Sequence, residues 1–70
     1  MYAVIYDNPY DGYRATRYAL FGKEQDAETF ESQLRASCLF VWSAGWVNDF
    51  EAKRLEESEH YKLDESNSKK

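Results

Sequence analysis

The stretch that decides the fold is residues 2–21, YAVIYDNPYDGYRATRYALF, in which two strand-like segments flank a turn. Residues 2–6 alternate so that two tyrosines and the valine between them share one face, which is the period of a strand. Pro9 restricts the backbone and Asp11-Gly12 is a favoured turn pair, so the chain should reverse there. Residues 13–21 alternate again, and they predict the return strand of an antiparallel hairpin.

The hydrophobic period changes after Gly22. Between residues 24 and 37 the apolar side chains recur at spacings of three and four, which predicts an amphipathic helix. Its inward stripe would contain Ala27, Phe30 and Leu34. Acidic side chains fill the first turns and a basic one lies near the end, an order that suits the helix dipole.

The next segment, residues 39–42, is the apolar run LFVW, which is typical of a buried central strand. The Ser-Ala-Gly that follows predicts a bend or a bulge. Beyond Trp46 the pattern allows a strand, or a helix capped by Asn48 with Glu51 at capping-box spacing. We expect the helix, over about residues 49–62, because the segment is rich in strong helix formers.

The element order predicts an α+β fold. We expect a small two-layer domain in which an antiparallel ββαβ sheet packs on one amphipathic helix, with a further C-terminal helix. Residues 1–63 would form this single domain. The end of the chain, residues 64–70, has no apolar side chain and is expected to be a disordered tail. With 70 residues, the domain would depend on its two Trp, six Tyr and four Phe for packing.

The composition argues against several classes of protein. The formal net charge of −4 opposes direct binding to phosphates. Cys38 is the only cysteine, which excludes an intrachain disulfide and a Cys-rich zinc site. No run approaches the roughly 18 apolar residues of a membrane-spanning helix. The single thiol and the lack of an apolar signal segment predict a reducing, cytoplasmic setting.

Enzyme chemistry finds little support in the sequence. His60 is the only histidine, and it lies in a charged run without a nucleophile at a recognisable spacing. Cys38 falls on the inward stripe of the predicted helix, where a small buried filler is expected rather than a nucleophile. The glycines are scattered and form no phosphate-binding loop. We therefore expect no catalytic residue, no metal site and no cofactor.

Two acidic features predict a contact surface for a protein partner. The first is the turn, where Tyr10 and Tyr13 would be available as interface anchors in a loop bordered by Asp7 and Asp11. The second is the polar side of the helix, which carries four carboxylates: Glu24, Asp26, Glu28 and Glu31. A row of carboxylates can imitate a line of phosphates, so the expected partner is a basic protein or complex that binds nucleic acid.

In size, acidity and ββαβ order, the chain resembles the small proteins that phages use against host machinery, such as anti-CRISPR proteins and RNA-polymerase inhibitors. The resemblance is one of general character over the whole chain, and no residue is matched to a motif. It implies a non-enzymatic inhibitor that occupies a basic, nucleic-acid-handling surface of a partner protein, as a nucleic-acid mimic would, in the cytoplasm of a host cell.

Two alternatives stay open. The first is a module that binds single-stranded nucleic acid: bases would stack on tyrosines of the hairpin and two arginines would hold phosphates. The residues of this alternative are Tyr2, Tyr6, Arg14, Arg17 and Tyr18.

The second alternative is a homodimeric structural module. On a continuous strand, Trp42 and Trp46 would point to the same face and form a wide aromatic surface with Phe40. Either the C-terminal helix or a second subunit would have to cover that surface.

Overall fold

The computed structural model describes residues 1–7, 16–65 and 67–68. In these ranges the chain forms four strands and two helices: β1 (Tyr2–Asp7), β2 (Thr16–Phe21), α1 (Glu24–Ala36), β3 (Phe40–Trp46), α2 (Asp49–Glu57) and β4 (Tyr61–Leu63). The strand order is β3-β1-β2-β4, with β1 antiparallel to both of its neighbours and β4 parallel to β2. The predicted α+β class is confirmed, and the sheet is mixed because β4 joins β2 in the parallel direction.

The hairpin pairs β1 with β2 in the register that alternation predicts. Val4 is opposite Ala19 and both are fully buried on one face of the sheet. Ala3 is opposite Leu20 on the other face, where both are buried. The predicted turn falls in residues 8–15, outside the described residues. The alternation of both strands is confirmed.

Helix α1 covers one face of the sheet with the stripe predicted for it. Ala27, Phe30 and Leu34 are buried against side chains of β1 and β2. The Phe30 ring lies 5.3 Å from that of Phe21 and 5.5 Å, edge-on, from that of Tyr6, measured between ring centroids. Burial of a large apolar side chain contributes about 1.5–3 kcal/mol, so the buried Phe21, Phe30 and Leu34 each stabilise the fold substantially.

Helix α2, the predicted C-terminal helix, lies on the opposite face of the sheet from α1. Leu55 packs there against a second cluster that includes Tyr18 and Leu20. Asn48 caps the helix as predicted, since its Oδ1 accepts the Glu51 N–H at 2.8 Å. The helix ends at Glu57 rather than at residue 62 because the backbone of the next residue is extended and leads into β4. None of the side chains of α2 is buried.

The prediction that residues 39–42 belong to a buried central strand is wrong. β3 lies at one edge of the sheet and β1 takes the central place. Val41 and Ala44 pack against the α1 core, whereas about 60% of the Trp42 side chain is exposed. An apolar run raises the tendency to form a strand, but its place in the sheet depends on which partners it meets.

The fold also extends past the predicted boundary at residue 63. Asp64 is buried, and its backbone N–H donates to the Tyr18 carbonyl at 2.8 Å. The Ser68 hydroxyl accepts the Leu20 N–H at 3.0 Å and donates to the Asp64 carbonyl at 2.7 Å. Residues 66 and 69–70 lie outside the described residues. A disordered tail over 64–70 is therefore wrong for the part that is described, because polar contacts fix it without apolar side chains.

Candidate protein-binding surface

The outer side of β3 is an open edge of the sheet. No strand in residues 1–7, 16–65 and 67–68 pairs with that side. Proteins commonly shorten, charge or cover such edges to prevent other chains from pairing with them. β3 runs for seven residues, FVWSAGW, with no charged side chain and no proline. The edge is therefore neither short, charged nor interrupted by proline, and its one irregularity is a β-bulge.

A β-bulge in β3 places the two tryptophans on opposite faces of the sheet. Ile5 pairs with Ser43 but Tyr6 pairs with Val41, so Trp42 is the extra residue between them. The prediction that Trp42 and Trp46 share one face is therefore wrong, because it assumed an uninterrupted alternation. The Ser-Ala-Gly signal for a bulge was present in the sequence, and the irregularity lies just before it.

On the α1 side, Trp46 lies opposite Tyr2 and contacts it edge-on, with ring centroids 5.3 Å apart. Burial raises the pKa of the Tyr2 hydroxyl, and the charges of Glu24, Glu31 and Glu28 raise it further. Three carboxylates of α1 thus act on one tyrosine that contacts an exposed tryptophan. We call these five residues the acid–aromatic patch: Tyr2, Glu24, Glu28, Glu31 and Trp46.

The carboxylates of this patch are not equally available. Glu31 accepts a hydrogen bond from Nη2 of Arg35 at 2.7 Å, and its side chain is only 22% exposed. Glu24 and Glu28 are exposed and form no ion pair with any residue that the structure describes. The uncompensated negative charge of the patch therefore belongs mainly to these two.

Other predicted partner-binding residues lie elsewhere. Asp26 is half-buried and borders a small cavity beside Phe21, away from the patch. Asp7 ends β1, where its Oδ1 accepts the Thr16 hydroxyl at 2.9 Å. The remaining three are not among the described residues: Tyr10, Asp11 and Tyr13. Among the described residues, the patch therefore contains three of the four predicted α1 carboxylates: Glu24, Glu28 and Glu31.

On the α2 side, β3 carries a second aromatic group. The rings of Phe40 and Trp42 contact edge-on at 4.8 Å, and each is about 60% exposed. Trp42 borders a groove of about 260 Å³ shared with Ile5 and Tyr61. A neighbouring groove of about 400 Å³, lined in part by α2, also includes Ile5 and Tyr61. The sequence indicated the two rings of β3. It did not indicate Tyr61, which was assigned to the last turn of a helix.

The nucleic-acid platform of the first alternative is not formed. Tyr6 and Tyr18 are 4% and 3% exposed and lie on opposite faces of the sheet. Arg17 is half-buried, and Arg14 falls outside the described residues. Neither of the two buried rings offers a surface on which a base could stack. Only Tyr2 of the three tyrosines keeps partial exposure.

Reactive side chains are dispersed over the surface. Cys38 is exposed, so the prediction that it fills the core is wrong. The reason is that α1 ends at Ala36 and Cys38 adopts a left-handed backbone with φ of 60°. His60 is exposed between α2 and β4. Within the described ranges, no three His, Cys, Asp or Glu side chains are close enough to hold a metal ion. The helices that the structure describes are too short or too polar to cross a membrane.

The chain matches no protein-family model, and neither the curated proteins nor the solved structures include a significant match to it.

Proposed function

We propose that this protein is a non-enzymatic, cytoplasmic inhibitor or modulator that binds a basic, nucleic-acid-handling surface of a partner protein through the acid–aromatic patch. The observation that carries the proposal is that the exposed Glu24 and Glu28 act, with Glu31, on the pKa of Tyr2, whose ring contacts Trp46, which is itself 59% exposed. Anti-CRISPR proteins, which the chain resembles in general character, are examples of such inhibitors.

The chemistry of the patch favours a cationic partner. Tryptophan is enriched among the residues that dominate binding energy, and its ring attracts Lys or Arg through its π face. A helix rises about 1.5 Å per residue, so Glu24, Glu28 and Glu31 recur at about 4.5–6 Å along α1. A partner that normally binds phosphates presents cations at similar intervals, and those cations would meet the carboxylates instead.

The experiment is affinity capture followed by competition. The protein is immobilised on a resin and incubated with a bacterial lysate. The captured proteins are identified by mass spectrometry, and each is then purified. The expected partner is basic, and its binding to an oligonucleotide falls as this protein is added. The triple variant Glu24→Gln, Glu28→Gln, Glu31→Gln should weaken binding by at least about tenfold, because the attraction is electrostatic.

A matched control removes the same amount of charge from the other side of the molecule. Glu56, Glu57 and Glu59 are exposed at and after the end of α2, on the opposite face of the sheet from α1. Replacing these three with Gln should leave partner binding within about twofold. An equal loss in both triple variants would reject the patch as the site. Direct binding of RNA or DNA by the protein itself, without a basic partner, would reject the proposed function.

A further inference from the structure

We infer that β3 is a strand-addition site for an extended segment of the partner in which basic and apolar side chains alternate. The inference rests on the proposed function, because it specifies the kind of segment that the acid–aromatic patch binds and how that segment is held.

The backbone of β3 supports this mode of binding. The outer N–H and C=O groups of this seven-residue edge have no strand partner among the described residues. An extended peptide that pairs with a sheet edge satisfies such groups by main-chain hydrogen bonds. Side-chain pockets next to the edge then decide which sequences are accepted.

The two faces beside this edge differ in chemistry. On the α1 side, an added strand would meet Trp46, which contacts the Tyr2 ring on which the exposed carboxylates of Glu24 and Glu28 act. On the α2 side it would meet the rings of Phe40 and Trp42. Successive side chains of a strand point to opposite faces. Every second side chain of the bound segment is therefore Lys or Arg, and the ones between them are apolar.

The charges favour a basic segment over a second copy of this chain. Two copies paired through β3 would each contribute FVWSAGW, which has no cation to place opposite Glu24 or Glu28. Each copy would also bring a net charge of −4 into the contact. Like charges brought together at an interface oppose association, whereas a basic strand neutralises the carboxylates.

The test uses the unaltered protein and two synthetic peptides. One peptide of about nine residues alternates Lys with Val, and the other has the same composition arranged as Lys-Lys-Val-Val repeats. Both tryptophans of the protein lie in β3, so intrinsic fluorescence reports binding at this strand. We expect the alternating peptide to bind at least about tenfold more tightly than its control. Hydrogen exchange should slow at the outward-pointing amides of β3, which alternate with inward-pointing ones on either side of the bulge at Trp42.

Three results would overturn the inference. The first is equal binding of the two peptides, or binding that leaves hydrogen exchange in β3 unchanged. Either result would mean that the protein attracts positive charge without strand addition. The second is no binding of the alternating peptide. The third is a stable dimer in sedimentation whose β3 amides are already protected without peptide, because the occupant would then be a second copy. Different results would reject the proposed function itself: capture of no basic protein, or normal partner binding by the Glu→Gln triple variant.

Discussion

The hydroxyl of Tyr6 donates a hydrogen bond to Oδ2 of Asp64, which joins the middle of the sheet to the segment after β4. Both residues are buried. The same carboxylate oxygen accepts the side-chain amide of Asn67 at 2.9 Å. A buried carboxyl is costly unless donors surround it, so these two contacts explain how an aspartate can close the core of a small domain.

Tyr6→Phe should therefore destabilise the fold although it leaves the ring in place. The change removes one donor to a buried carboxyl, and the expected loss in the free energy of unfolding is about 1.5–3 kcal/mol. Urea denaturation would measure it as a lower midpoint with an unchanged slope. Tyr61→Phe is the control, since Tyr61 is exposed and should shift the midpoint little. Equal shifts in the two variants would show that the Asp64 contact adds nothing to stability.

Cys38 has the only positive φ among the described non-glycine residues, at 60°. It follows the last turn of α1, where the Leu39 N–H donates to the Leu34 carbonyl at 3.0 Å, the closing bond of a Schellman motif. Cys38→Gly should raise the free energy of unfolding by about 1 kcal/mol, because glycine adopts this conformation without a Cβ clash. Cys38→Val should lower it. Thermal denaturation of both variants against the parent would decide the sign.

Alkaline pH should destabilise the protein through Tyr18. Burial, and secondarily the charge of Glu56, raises the pKa of its hydroxyl above the ordinary value of 10.0. The unfolded chain therefore loses this proton at lower pH than the folded chain does. The stabilising contribution is fully present below the unfolded pKa and is lost as pH rises through the folded one. Urea denaturation as a function of pH should show this decline, and Tyr18→Phe should reduce it. If the free energy of unfolding of the variant falls with pH as steeply as that of the parent, the decline is due to other groups.

Helix α2 should open without global unfolding. None of its side chains is buried, and its first turn depends on the Asn48 cap. Asn48→Ala should cost about 1 kcal/mol of helix stability, seen as faster hydrogen exchange in α2. Asn48→Asp keeps an acceptor and should restore the parental rates. If exchange accelerates equally in β1, then α2 unfolds together with the sheet and is not an independent unit.

The elements that depend on local periodicity could be predicted. Residues 2–6 alternate, and Ala27, Phe30 and Leu34 recur at helical spacing, so the faces of β1 and α1 follow from the sequence. The Asn48 cap could be read in the same way. Each of these features is decided by neighbours within about four residues.

Long-range pairing could not be predicted. The apolar run of β3 is compatible with a central or an edge strand, and only its pairing with β1 distinguishes them. The carboxylates of α1 were recognisable as a row. Their link to Trp46 runs through Tyr2, however, and depends on the pairing of β3 with β1. The anchoring of Asp64 by Tyr6 joins residues 58 positions apart, and no local pattern indicates it.

Arg35 should reduce the affinity of the acid–aromatic patch for cationic peptides. Its guanidinium lies 2.7 Å from Glu31 and neutralises one of the three carboxylates. Arg35→Ala frees that carboxylate, so affinity for a Lys-rich peptide should rise. Exposed ion pairs contribute about 0.2–1 kcal/mol, which corresponds to a gain of about 1.5- to 5-fold. The variant should lose only about 0.2–0.5 kcal/mol of helix stability.

Arg54→Ala is the matched control for this prediction, because it removes the same charge from α2 on the opposite face of the sheet. Fluorescence titration of both variants at low and high salt would compare the two effects. A gain confined to Arg35→Ala, and reduced by salt, means that binding is controlled by the carboxylates of the acid–aromatic patch. A gain of the same size in Arg54→Ala means that only the net charge of the molecule matters, and the patch would then lose its role as a binding site.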